Sequence, residues 1–217
     1  MNARDSLLGN FSSMHDEFSS SNNRTIRNVD GLFENNLNDF LSSLIYFNDE
    51  YVVVDIRELN TMFDGLKEEL DNIKAAHVLK YNKKFVKEEM ILEQVMCSFF
   101  ENKLIKGEEC KRKMSSDIKK SLDKMCDFDI MALEEEVDST IYNFKVSFEM
   151  KYITNEYCKD DFNKIVRTFK HSLVGDIRDM LISSVGEMQD IVSRYATKSY
   201  DIVDHYREMN LKNNNKR

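Results

Sequence analysis

Apolar residues recur at intervals of three and four along nearly the whole 217-residue chain, with polar residues between them. This period places the apolar side chains on one face of a helix and predicts a chain of amphipathic helices. The most regular stretch contains Val52, Ile56, Leu59, Phe63, Leu66, Leu70 and Ile73. Its alternation of three- and four-residue steps is the heptad pattern of a coiled coil, so we expect these positions to form a buried seam.

The same spacing predicts four main helical segments. The first regular face runs from Thr25 to Phe47, and the second helix covers about 50–105, ending before Gly107, which suits a helix C-terminus. Within it the apolar positions shift by one residue after Ile73 and continue at Val78, Tyr81, Phe85, Leu92, Val95, Phe99 and Leu104. Such a shift changes supercoiling locally without ending a helix. The third segment runs from Ile118 to Phe148, and the fourth begins near Asp160.

Composition supports a fold made of few, long elements. The chain has no proline and only six glycines, which leaves few positions for tight turns. The sequence therefore predicts an all-α fold, an elongated antiparallel helical bundle or coiled coil of about four main helices, two of them long. We predict one bundle domain over 24–211, a weakly ordered N-terminal segment over 1–23 and a disordered tail over 212–217. The N-terminal segment is expected to be a weak helix followed by a loop in the polar run 19–23.

The cysteines and the apolar runs indicate the compartment. Cys97, Cys110, Cys126 and Cys158 form no C-x-x-C pair, so we interpret them as reduced thiols rather than as a zinc or redox site. We expect Cys97 to be a core residue and Cys110 to be exposed. No apolar run approaches the roughly 18 residues that span a bilayer. These features favour a cytoplasmic protein, with secretion lacking a leader peptide as the alternative.

Charge is unevenly distributed along the chain. The net charge is −8, divided into −8 over residues 1–79, +4 over 80–124 and −4 over 125–217. An acidic chain repels phosphate backbones, so we do not expect nucleic acid as the partner.

The one basic stretch interleaves cations with Tyr81 and Phe85. Its lysines are the candidate partner-binding residues, Lys80, Lys83, Lys84 and Lys87. Such a pattern suits a membrane surface, nucleic acid or an acidic partner. In the alternative interpretation, the two aromatic side chains face the core and the lysines only solubilise the helix around them.

Motifs for common chemistries are missing from the sequence. There is no Glu-x-x-His pair for a di-iron centre, no H-E-x-x-H zinc helix and no glycine-rich phosphate loop. Asp201 and His205 would share a helix face, which we interpret as a surface ion pair, and we interpret His77 as a core or boundary histidine, with a pH-sensitive joint as the alternative. We therefore expect no catalytic residue, no metal site and no cofactor, and we do not expect an enzyme.

The remaining function is recognition by helical faces. We expect a structural or adaptor protein that binds a helical protein partner, or further copies of itself, within a larger assembly. The alternative is a small secreted or virus-encoded helical effector that sequesters a partner protein.

Overall fold

A computed structural model describes residues 2–52, 55–106, 111–153 and 156–214. In these ranges the chain forms five α-helices. They are α1 (Ala3–Tyr51), α2 (Ile56–Lys106), α3 (Lys111–Met125), α4 (Ile130–Tyr152) and α5 (Glu156–Asn214). No strand occurs in these ranges. The prediction of an all-α helical bundle is confirmed.

Contacts divide the chain into two compact units. Unit 1 consists of Met1–Thr25, Asn82–Asp127 and Ile182–Arg217, and unit 2 consists of Ile26–Tyr81 and Phe128–Leu181. Helices α1, α2 and α5 contribute residues to both units, whereas α3 belongs to unit 1 and α4 to unit 2. Whether 24–211 behaves as one domain stays a prediction.

Unit 2 is a four-helix bundle in which sequence neighbours run antiparallel. Phe40 of α1 faces Phe169 of α5, and Phe47 faces Phe162, so numbering rises along one helix as it falls along the other. The three other pairs of adjacent helices are antiparallel by the same criterion. Helices α1 and α2 meet through Asp30–Lys74 and Phe40–Phe63. Helices α2 and α4 meet through Glu58–Lys151 and His77–Glu136, and α4 and α5 through Asp138–Lys170 and Phe148–Phe162. The result is an up-down-up-down arrangement. The connections from α1 to α2 and from α4 to α5 are short, whereas the parts of α2 and α4 in this unit are joined through residues 82–127, which belong to unit 1.

Stacked aromatic rings fill the core of unit 2. The Phe40 and Phe169 rings lie 4.4 Å apart at 10°, and those of Phe148 and Phe162 lie 4.6 Å apart at 19°. Such pairs add to the stabilisation from burial alone. Because the phenylalanines recur at helix spacing on different helices, this core follows directly from the apolar periodicity.

Unit 1 packs α1, α2, α3 and α5 around a second core. Phe11 of α1 contacts Phe100 of α2 at 6.2 Å between ring centroids, and Tyr200 of α5 meets Phe100 edge-on at 5.1 Å. The N-terminal apolar residues Leu7, Phe11, Met14 and Phe18 are all buried. The segment predicted to be weakly ordered therefore supplies core residues of unit 1.

The loop predicted at 19–23 is wrong, because α1 continues through the polar run. Ser21 and Asn22 are buried, and the Asn22 side-chain amide donates to Asn82 Oδ1 of α2 at 2.7 Å. A distant amide thus accepts one hydrogen bond from a side chain that the sequence suggests would favour a loop, while Asn22 Oδ1 has no partner in the described chain. At the other end, α5 continues to Asn214, into the predicted tail, whose residues 215–217 lie outside the described ranges.

The third segment is two helices rather than one. Helix α3 ends at Met125, and α4 begins at Ile130 with Asp129 as its N-cap, whose Oδ1 accepts from the Ala132 backbone N–H at 3.3 Å. Phe128, in the connection, is buried and packs on Tyr81 of α2 at 5.5 Å. The cap and the buried ring explain the break, since Asp is a favoured N-cap residue.

The buried seam of α2 differs in part from the predicted one. Leu59, Phe63, Leu66 and Leu70 are buried as expected, but Ile56 is exposed. Beyond Leu70 the buried positions are His77, Tyr81, Phe85, Glu88, Glu89, Leu92, Met96 and Phe100. The predicted seam positions that are only half-buried are Val52, Ile73, Val78, Val95 and Phe99. The side chain of Leu104, also predicted in the seam, lies outside the described residues. His77, Glu88 and Glu89 occupy core positions here, and a pattern of apolar residues alone could not identify them.

Candidate functional site

Two of the four candidate lysines make ion pairs next to the connection between α3 and α4. In unit 2, Lys80 Nζ lies 2.9 Å from Asp129 Oδ2, and this hydrogen bond lowers the pKa of the Asp129 carboxyl group. In unit 1, Lys84 pairs with Asp127. Both carboxylates adjoin Phe128 in the sequence, so these lysines help to hold the α3–α4 connection.

The aromatic residues of the basic stretch face the interior. Tyr81 is buried in unit 2 and Phe85 in unit 1. This part of the alternative interpretation is confirmed, and the lysines lie around two core side chains.

Lys83 and Lys87 are exposed, and within the described ranges neither makes an ion pair. They share a face of α2 with Val86, which is 47% exposed, and Met90, which is 57% exposed. The four residues, Lys83, Val86, Lys87 and Met90, all belong to unit 1 and are called the α2 face below. Their offsets of three, four and seven residues make one continuous helical stripe.

The α2 face combines two properties that a docking surface needs. The ammonium groups of Lys83 and Lys87 attract carboxylates, while the side chains of Val86 and Met90 supply apolar contact area. Sequence reasoning identified the lysines but not the two apolar residues. The available signal was that Val86 and Met90 are apolar although they lie outside the predicted seam.

Several other polar groups serve to join helices. The Tyr195 hydroxyl donates to Glu17 Oε1 at 2.6 Å, and Arg194 Nη2 lies 2.5 Å from Glu17 Oε2. These bonds, Tyr195 first, lower the pKa of Glu17, while burial and then Glu17 raise the pKa of Tyr195 to about 12. The group holds α1 against α5 in unit 1.

The histidines singled out from sequence occupy different environments. His77 is buried in unit 2, with Nε2 3.3 Å from Glu136 Oε1 and its ring stacked on Phe128. This places it in the core, as predicted. Asp201 and His205 are both exposed and form no ion pair with each other, so the predicted surface pair is wrong.

The thiols are free where the structure describes them. Cys97 and Cys126 are half-buried and Cys158 is buried, whereas Cys110 lies outside the described residues. Burial is the main cause that raises the pKa of Cys97 to about 11 and that of Cys126 to about 12. Cys97, which the sequence predicts to be a core residue, is only half-buried.

Neither a metal cluster nor a membrane span is found in the described ranges. No group of three or more His, Cys, Asp or Glu side chains there is placed to hold a metal ion. None of the helices, as far as they are described, is long and apolar enough to cross a bilayer.

Comparison with known proteins yields no matching family model and no matching curated protein.

Proposed function

We propose that this protein is a non-enzymatic helical adaptor that binds a partner protein through the α2 face within a larger assembly. The observation that supports it is the exposure of Val86 and Met90 beside two lysines that have no carboxylate partner in the described chain. Single exposed apolar residues are common on any surface. An apolar and cationic stripe with helical spacing is less common and suits a partner helix.

The chemistry of the α2 face defines the partner. Lys83 and Lys87 favour a surface with carboxylates, and Val86 and Met90 favour one with apolar side chains between them. Side chains three and four residues apart form the ridges by which helices pack against each other. The proposed partner surface is therefore acidic, partly apolar and helical. The net charge of −8 argues against nucleic acid in this role.

A reducing compartment agrees with this role. The three described cysteines are free thiols, and free thiols are typical of cytoplasmic proteins. These thiols support our proposal that the adaptor acts in the cytoplasm.

Affinity capture with matched variants tests the proposal. The tagged wild-type protein, a Lys83→Glu/Lys87→Glu variant and a control carrying Lys67→Glu/Lys119→Glu are incubated with lysate of the cells that express it. Lys67 and Lys119 are exposed and make no ion pair in the described chain, so the control changes charge equally. Captured proteins are compared by quantitative mass spectrometry.

The expected result is a protein that wild type and control retain and the α2-face variant loses. Its binding should also weaken in 1 M salt, where the screening length falls to about 3 Å. A set of captured proteins that is the same for all three chains would contradict the proposal, provided that circular dichroism shows equal helix content.

A further inference from the structure

A groove of about 900 Å³ lies between α1 and α5 in unit 2. The core rings of Phe40, Phe47 and Phe169 form its inner side. The side chains of Ser42 and Ser172, which also line it, are small and leave the groove open to solvent. Tyr46, at the rim, is 70% exposed. The groove is thus open, with buried phenylalanine rings beneath its floor and the exposed rings of Tyr46 and Tyr51, both on α1, at its rim.

The groove carries uncompensated negative charge. Asp39, Glu50, Asp161 and Asp176 line it, and the only cationic side chain among its lining residues is Lys164. Within the described ranges, none of these four carboxylates pairs with a lysine or arginine, although Asp176 accepts a hydrogen bond from Asn36 at 3.1 Å. Four carboxylates therefore face one ammonium group.

Other places where α5 meets a neighbouring helix are neutralised by ion pairs. In unit 1, Glu17 of α1 pairs with Arg194, and in unit 2, Asp138 of α4 pairs with Lys170. The pKa of Tyr51 is raised first by its hydrogen bond with Glu50 and, among the lesser causes, by Asp161. Carboxylates without a lysine or arginine partner are therefore specific to the groove and are not found at these two other contacts of α5.

We propose that the α1–α5 groove of one copy binds the α2 face of a second copy. The groove is acidic and the α2 face is basic. Exposed tyrosines accompany the charges of the groove, and Val86 and Met90 accompany those of the α2 face. Lys83 and Lys87 would supply the cations that the groove lacks, and Val86 and Met90 would contact its aromatic rim.

The length of the α2 face is compatible with this occupant. The lining residues of the groove run from Leu32 to Tyr51 on α1, which is about 28 Å along a helix. The stripe from Lys83 to Met90 covers about 11 Å of α2, so it can lie within the groove.

The geometry determines the kind of assembly. Each chain carries both surfaces, the α2 face in unit 1 and the groove in unit 2, so the contact joins two different surfaces. Such contacts close into rings or extend into open chains. This inference rests on the proposed function of the α2 face and names its partner as another copy of the chain.

Sedimentation velocity of the purified full chain tests the inference. The wild type should sediment faster as concentration rises through the micromolar range, and 1 M salt should reverse this. Lys83→Glu/Lys87→Glu and Asp39→Lys/Asp161→Lys should each weaken self-association roughly tenfold or more, because like charges then face each other. Controls matched for charge are Lys67→Glu/Lys119→Glu and Asp64→Lys/Glu135→Lys, all at exposed positions.

A charge exchange gives a sharper result. A chain that carries both charge reversals has an acidic α2 face and a basic groove, so it should associate again. A photoreactive phenylalanine analogue in place of Tyr46 should cross-link to residues 83–90 of another copy. The cross-link keeps the inference testable even if a charge variant folds poorly.

The outcomes separate this inference from the proposed function. A monomer at every concentration, or an oligomer that neither charge reversal weakens and whose cross-links lie elsewhere, would overturn the inference. If affinity capture still shows a protein that depends on Lys83 and Lys87, the proposed function survives with a different partner.

Discussion

Glu89 shows how one buried polar side chain changes the interpretation of a helix face. Its side chain is almost fully buried on α2, and Oε1 lies 2.9 Å from Nδ1 of His15 on α1. Burial raises its pKa, and His15 offsets only part of this. A carboxylate at a core position interrupts the apolar period, which is why the predicted seam left this position out.

We expect Glu89→Gln to stabilise the protein at neutral pH. The pKa is raised in the folded state above the reference value of 4.5, so the favourable contribution of Glu89 is present below pH 4.5 and is lost as pH rises through the folded-state pKa. Gln imitates the protonated form. The gain at pH 7 should be about 1 kcal/mol, the lower range for burying a polar group, and should vanish below pH 4.5.

Thermal unfolding at several pH values measures this difference. Glu135→Gln, at an exposed position on α4, is the control and should show no change. A variant that is destabilised at pH 7 would mean that the contact with His15 outweighs the cost of burying the carboxylate.

Cys126 should react slowly with alkylating reagents at neutral pH. Burial, with a smaller effect of Asp123, raises its pKa to about 12, so the nucleophilic thiolate is scarce below pH 9. Labelling of the Cys126 peptide by iodoacetamide, followed by mass spectrometry, should rise about tenfold per pH unit between pH 7 and 9. A rate that levels off within this range would contradict the raised pKa.

Among the helices, the start of α4 shows which contacts fix the short connection between α3 and α4. Asp129 caps α4 through Ala132 and also binds Lys80 of α2, so one side chain supports both a helix end and a contact between helices. The hydrogen bond from Lys80 is the largest cause that lowers the Asp129 pKa. A carboxylate with a lowered pKa stabilises the fold at pH values above its unfolded-state pKa, and the stabilisation is lost as pH falls through the folded-state pKa.

We expect Asp129→Ala to lower Tm by about 3 °C at pH 7, because it removes the N-cap. Lys80→Ala should have a smaller effect, since an exposed ion pair contributes little. The effect of Asp129→Ala should disappear at acidic pH, where the native carboxyl group is protonated. Equal Tm losses for the two variants would show that the ion pair, rather than the cap, is what matters.

Because the chain forms two compact units, we expect a substitution in the core of one unit to destabilise mainly that unit. Phe11 is buried in unit 1 and Phe169 in unit 2, and replacing either with Ala should cost about 3–5 kcal/mol. Because contacts are concentrated within each unit, Phe11→Ala should speed hydrogen exchange mainly in unit 1, and Phe169→Ala mainly in unit 2.

Hydrogen exchange read out by mass spectrometry resolves the two patterns. Tyr142→Ala, at a position that is mostly exposed, should leave both units unchanged. An equal increase across both units after either core substitution would mean that the described chain unfolds as one cooperative body.

Much of the fold could be predicted because helices depend on local spacing. The apolar period identified the helical segments and most of the core, including Leu59, Phe63 and Leu70. It failed at the polar run of α1 and at the break before α4, where contacts with distant residues decide the outcome. Of the candidate site, the lysines were predicted, but which of them already pair with Asp127 or Asp129 was not.

The chain alone determined that it folds into amphipathic helices, because hydrogen bonds within a helix and side-chain period are both local properties. Tertiary packing decided which polar groups are buried, since Asn22 finds its partner 60 residues away and Glu89 finds His15 on another helix. Packing also left Lys83 and Lys87 without carboxylate partners in the described chain and opened the acidic groove between α1 and α5. The composition of a surface depends on which helices meet, and spacing along one helix carries no information about that.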